Sequence, residues 1–98
     1  MGKEIRNEAV DELFDAVLQL RDREECYKFF EDVCTVNELQ SLSQRFEVAK
    51  MLTEGKTYLD IAEKTGASTA TISRVNRSLL YGSDGYNMVF SRMRKEEA

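Results

Sequence analysis

The chain has 98 residues, 42% of them hydrophobic and 33% charged, which fits one folded domain and is too apolar for a disordered chain. Fourteen Lys and Arg stand against eighteen Asp and Glu, and this net charge of −4 argues against a protein that coats nucleic acid through bulk positive charge. Histidine is absent, which removes a histidine general base, a Ser-His or Cys-His nucleophile pair and an imidazole metal ligand.

Cys26 and Cys34 form no CxxC and cannot complete a structural zinc site alone, so they are expected as two free, partly buried thiols, with no metal. No apolar run exceeds three residues, as at Met88 to Phe90, so no membrane span or signal-peptide core is expected. Met1-Gly2-Lys3-Glu4 resembles no targeting segment, and the chain reads as cytoplasmic, with no membrane partner. Proline is absent and no β-branched alternation reaches a strand's length, so the expectation is a single all-α domain over 1–98.

In chain order, Ile5, Ala9, Val10, Leu13, Phe14, Val17, Leu18 and Leu20 recur at helical spacing through about residue 20. Arg21-Asp22-Arg23 interrupts the pattern, and a second short helix follows on Cys26, Tyr27, Phe29, Phe30 and Val33. Both helices are more apolar than a small monomer needs, which favours residues 1–34 as a dimerisation segment over an ordinary monomeric bundle core. Thr35-Val36-Asn37-Glu38 is a capping box opening a helix on Leu39, Leu42, Phe46, Ala49 and Leu52, with Val48 and Met51 widening the stripe and Gly55 ending it.

The segment Thr57 to Arg77 has the pattern of a helix-turn-helix within a central stretch of residues 35–80. Thr57 caps a first helix running to about Lys64, Ile61 points inward, and Ala62 is small where the helices cross. Gly66 falls where the turn needs positive φ, Ala67 is small and apolar, and Ser68 caps a second helix whose Ile72 and Val75 face the core. On the outward face Thr69, Ala70 and Ser73 are small enough to approach base edges, and Arg74 and Arg77 can reach phosphate or guanine. With Thr57, Tyr58 and Ser68 at the helix starts, these make the candidate DNA-binding set, and double-stranded DNA the expected partner. Two amphipathic helices with a glycine between them also describe an ordinary αα-hairpin. Residues 81–98 hold a last helix on Tyr86, Val89, Phe90 and Met93, with Ser83 as its expected cap, closing the core or a dimer.

The charge divides unevenly along the chain. Residues 1–54 hold seven basic and thirteen acidic residues, a net of −6, and residues 55–98 seven and five, a net of +2. An acidic body repels DNA and turns a small basic head toward it.

Residues 35–80 resemble the Trp repressor family, and the whole chain looks like its YerC/YecD-type branch. The likeness rests on Thr35 with Leu42-Ser43-Gln44-Arg45-Phe46, on Leu52-Thr53-Glu54-Gly55, and above all on Gly66-Ala67-Ser68-Thr69-Ala70-Thr71-Ile72-Ser73-Arg74 with Ser78-Leu79. It implies about six helices in an intertwined homodimer, with two heads addressing successive major grooves ~34 Å apart on a palindromic operator. It also implies a small-molecule corepressor pocket, with Thr35 near a ligand amine, Arg45 and Arg74 about its ring, and Thr71 and Ser78 at its polar end. The family has glycine directly after the recognition-helix arginine, and this chain has Val75, whose three extra carbons fall where a planar indole slides against backbone. Any gating ligand is therefore expected to be a molecule other than tryptophan. Without a ligand, Arg45 has carboxylates such as Glu38 or Glu47 within reach, and Arg74 a phosphate.

The function expected is a dimeric, sequence-specific DNA-binding transcriptional regulator. The alternative is a helical dimer that serves as a protein-interaction module with no DNA readout. Asp11, Glu12 and Asp15 are the raw material for an enzyme and read instead as a solvated helix face, so no catalytic residue is assigned.

Overall fold

A computed structural model describes residues 5–97 as six α-helices with no strand among them. Met1–Glu4, on which the expectation of no targeting segment falls, and Ala98 lie outside the described residues. The chain divides into two compact units, one ending at Val36 and the other beginning at Asn37.

The first unit carries α1 (Glu8–Val17) and α2 (Arg23–Val33). Asn7 caps α1, its Oδ1 accepting from the Val10 N–H at 2.9 Å, and Glu8 and Asp11 favour the positive end of the helix dipole. The helix stops at Val17, short of the expected residue 20, because Gln19 and Leu20 donate to carbonyls three residues back and tighten the chain into a turn. Asp22 caps α2 by accepting from the Glu25 N–H at 2.9 Å, while Glu25 Oε1 accepts from the Arg21 N–H at 2.8 Å. These two bonds, one to the cap and one from the residue before it, make the charged interruption a helix start. No residue of α1 or α2 is buried, and Phe14 is 53% and Leu18 77% exposed. Both thiols are free, as expected, but Cys26 is exposed and Cys34 alone is half-buried, in line with an α2 that has no buried residue in one chain.

The second unit carries α3 (Val36–Thr53) from its second residue on, α4 (Tyr58–Thr65), α5 (Thr69–Tyr81) and α6 (Gly85–Glu97). The helix start at Val36 follows Thr35, where the capping box placed it. At the other end Lys56 donates to the Met51 carbonyl and Gly55 to that of Leu52, both at 3.1 Å, with Gly55 at φ 81°. These two bonds are the glycine-terminated ending the sequence predicts. Val48, Ala49, Ile61, Ala67, Ile72, Val75 and Phe90 form the buried core, with Met51, Leu52, Ala62, Leu79 and Tyr86 packed against it. Within α3 the buried centre is thus Val48–Ala49, whereas Leu42 and Phe46 of the expected stripe stay exposed at 44% and 36%.

α6 closes this core through an aromatic set. Phe46 and Phe90 have ring centroids 5.1 Å apart, and Tyr86 stacks on Phe90 at 6.1 Å. The residue that leads into α6 is Asp84 rather than Ser83. Asp84 sits at φ 67°, its carboxylate accepts from the Asn87 side-chain amide at 3.0 Å and its carbonyl from the Met88 N–H at 3.1 Å. Aspartate tolerates the left-handed conformation better than most residues do, which moves the start one position on from the serine.

Candidate nucleic-acid interface

The candidate interface is built on α4 and α5. Thr57 Oγ1 accepts from the Asp60 N–H at 3.1 Å and starts α4, as its sequence position predicts. Gly66 ends α4 in the left-handed conformation, φ 75°, and its N–H donates to the Ala62 carbonyl at 2.9 Å. A side chain there would be strained whatever the space around it.

Thr65 ties the turn together. Its hydroxyl donates to the Ile61 carbonyl at 2.8 Å and accepts from the Ala67 N–H at 3.1 Å. Its own carbonyl accepts from Gln44 Nε2 on α3, 21 residues earlier, at 3.1 Å in a partly buried setting. Ser68 then starts α5, accepting from the Thr71 N–H and donating to the Thr71 hydroxyl, each at 3.1 Å.

Within α5 the two faces separate as the sequence predicts. Ile72 and Val75 are 0% and 2% exposed, in the same core as Ile61 of α4 and Val48 of α3. Thr69, Ala70, Ser73, Arg74 and Arg77 are all exposed. Thr69, Ser73 and Arg77 follow one another at four-residue spacing, which aligns them along one side of the helix. Small side chains lie toward the N-terminal end and arginines further along, so a close approach is open at one end and cationic reach is available at the other. At the start of α4, Thr57 and Tyr58 are also exposed, the latter at 38%. The exposed hydroxyl of Ser68 is spent on the start of α5, so its part in any contact is to fix where α5 begins.

Of the five corepressor residues that the resemblance implies, four lie in the second unit. Arg45 is half-buried on α3 and donates from Nη1 to Ser41 Oγ one turn back at 2.8 Å. Thr71 is half-buried and bonded to Ser68, while Arg74 and Ser78 are exposed on α5. Thr35 belongs to the first unit. An open groove of the second unit is lined by Phe46, Ser78, Gly82, Tyr86, Met88 and Val89 among others, so Ser78 is the one residue of the implied set that borders it. Val75 occupies, with its own side chain, space on the core side of α5. Among the described residues no group of three or more metal-ligating side chains gathers, and no helix is long and apolar enough to cross a membrane.

The bond from Gln44 to Thr65 has no counterpart among the sequence expectations. Its signal was weak, since a glutamine on the polar side of an amphipathic helix carries no mark of a partner 21 residues away.

Residues 8–94 match the family model for the Trp repressor protein. The chain is 57% identical over 93 residues to YerC of Bacillus subtilis (strain 168), a protein described as uncharacterised, covering 95% of this chain and 89% of that one. A solved TrpR-like protein from Eubacterium eligens shares 71% identity at a TM-score of 0.89, over 91% of this chain and 92% of that one. A candidate Trp repressor from Staphylococcus aureus shares 62% identity at the same TM-score of 0.89, over 92% and 90%.

Proposed function

The chain belongs to the Trp repressor family, and from that premise we propose that it is a transcriptional regulator that reads a palindromic DNA operator as a homodimer. The observation that carries this reading is the division of α5. Ile72 and Val75 are buried, while Thr69, Ala70, Ser73, Arg74 and Arg77 stand in solvent, free of core duty. Small residues and arginines exposed on the second helix of a helix-turn-helix suit base edges and phosphates respectively. The net +2 of residues 55–98 against −6 for the remainder directs that face toward DNA.

The homodimer is supported by the first unit. Two capped, amphipathic helices with no buried residue have apolar faces that a second copy can cover, and a two-fold protein suits a two-fold operator.

Any corepressor is a small molecule other than tryptophan. Val75 stands where the family's pocket uses glycine, and its side chain is packed in the core, 2% exposed. Calorimetry with tryptophan is expected to give no heat of binding, and micromolar affinity for the unmodified protein would overturn this point.

The test of the main reading is selection from a randomised DNA pool, followed by mobility shift. Enrichment of a defined sequence, with binding weakened by Arg77→Ala, is the expected outcome. No enriched sequence, and no binding even at low salt, would instead favour a helical dimer that binds proteins only.

A further inference from the structure

The aliphatic packing that seats α4 and α5 against α3 sets Val48 and Ala49 on one side and Ile61, Ile72 and Val75 on the other. The hydrophobic effect behind such packing is non-directional. A hydrogen bond has direction, and one joins these elements at the turn. The Gln44 side-chain amide reaches the Thr65 carbonyl at 3.1 Å, in a partly buried setting. A carbonyl can only accept, so the amide nitrogen of Gln44 is the atom that serves it.

The bond falls where it has most leverage. Thr65 is the last residue of α4, its hydroxyl holds both the Ile61 carbonyl and the Ala67 N–H, and Gly66 beside it makes the left-handed turn into α5. A constraint on this carbonyl is passed through the turn to Ser68, the cap of α5. An angular change at the turn displaces the far end of α5 the most, and Arg77 lies toward that end.

We infer that Gln44 is a positioning residue for DNA reading, a latch from α3 onto the α4–α5 turn that sets the angle of the recognition helix by means internal to the chain. It touches no DNA itself and acts through Thr65. The inference rests on the DNA-reading function proposed above, and deepens it by assigning the head's orientation to the protein rather than to a bound molecule.

The test compares the full chain with Gln44→Met, which keeps length and volume but loses the donor, and with Gln44→Glu, which places an acceptor against the carbonyl. Affinity is measured by mobility shift on the DNA sequence the unmodified protein selects, with no metabolite added. Amide hydrogen exchange at Gly66, Ala67 and Ser68 is followed in the same proteins without DNA.

Both variants are expected to keep their helical content, to weaken binding by roughly five- to tenfold as one net hydrogen bond per head is removed, and to exchange faster at the turn. Gln44→Glu is expected to be the weaker binder of the two. Unchanged affinity and unchanged exchange in Gln44→Met would overturn the latch while leaving the DNA-reading function standing. Selection of no sequence by the unmodified protein would overturn both. A loss of thermal stability with no loss of affinity at temperatures well below unfolding would reduce Gln44 to a structural residue and also overturn the latch.

Discussion

The two units of this chain use similar sequence material to different ends. α1 and α2 are capped, amphipathic and rich in aromatics, yet none of their residues is buried. α3 to α6 gather seven buried residues into one core, which leaves the exposed side of α5 free. The lesson is that apolar content does not locate a core. The second unit satisfies itself and presents a surface of small and cationic side chains. The first leaves its apolar side chains exposed or half-buried, and the function proposed above gives assembly to this unit and reading to the other.

The sharpest way to break that division is a charge on the first unit's apolar face. Phe14→Asp alters a residue that is 53% exposed in the single chain, where it would be nearly neutral. If a second copy covers it, an unpaired buried charge costs about 4 kcal/mol and the dimer dissociates. Sedimentation velocity is expected to show loss of the dimer, and an unchanged mass would contradict the division.

Ile72→Ala probes the second unit's own core. Its side chain is fully buried, so about 3 kcal/mol of stability is expected to be lost, read as a lower denaturation midpoint with an unchanged slope. A loss below ~1 kcal/mol would mean that this core is not what holds α5 in place.

Gly82→Ala tests how α5 ends. A Cβ at that position would lie 2.5 Å from the Ser78 carbonyl oxygen, which belongs to backbone and cannot swing aside. A destabilisation of about 2 kcal/mol is expected by thermal unfolding. The smallest expected effect on stability is at Arg77, an exposed side chain. Arg77→Ala should leave unfolding unchanged while lowering the slope of log affinity against log salt by roughly one for each phosphate that the arginine neutralises. An unchanged slope and affinity would remove Arg77 from the interface.

What the sequence discloses and what it withholds differ in range. The caps at Thr57 and Ser68, the turn at Gly66 and the inward Ile61, Ile72 and Val75 are written in spacing over a few residues, and the structure has them at those positions. The same local spacing does not mark Asp22 with Glu25 as a helix start, nor Asp84 over Ser83. An acidic residue beside arginines reads as a charged break, and serine and aspartate cap helices about equally well, so residue type alone does not choose between Ser83 and Asp84. The Gln44–Thr65 bond and the exposure of Leu42 and Phe46 depend on how helices distant in sequence meet, and no periodicity within α3 encodes that. The net charge of −4 misleads for a related reason, because a whole-chain sum hides the opposite signs of its two halves.

The most direct test of the division between an assembling and a reading unit is the arrangement of half-sites in the DNA that the protein selects from a random pool. Two inverted half-sites with centres about one helical turn (~10 bp) apart are predicted, since each head of a two-fold protein meets a successive major groove. A single unrepeated half-site, or half-sites at no fixed spacing, would contradict the account.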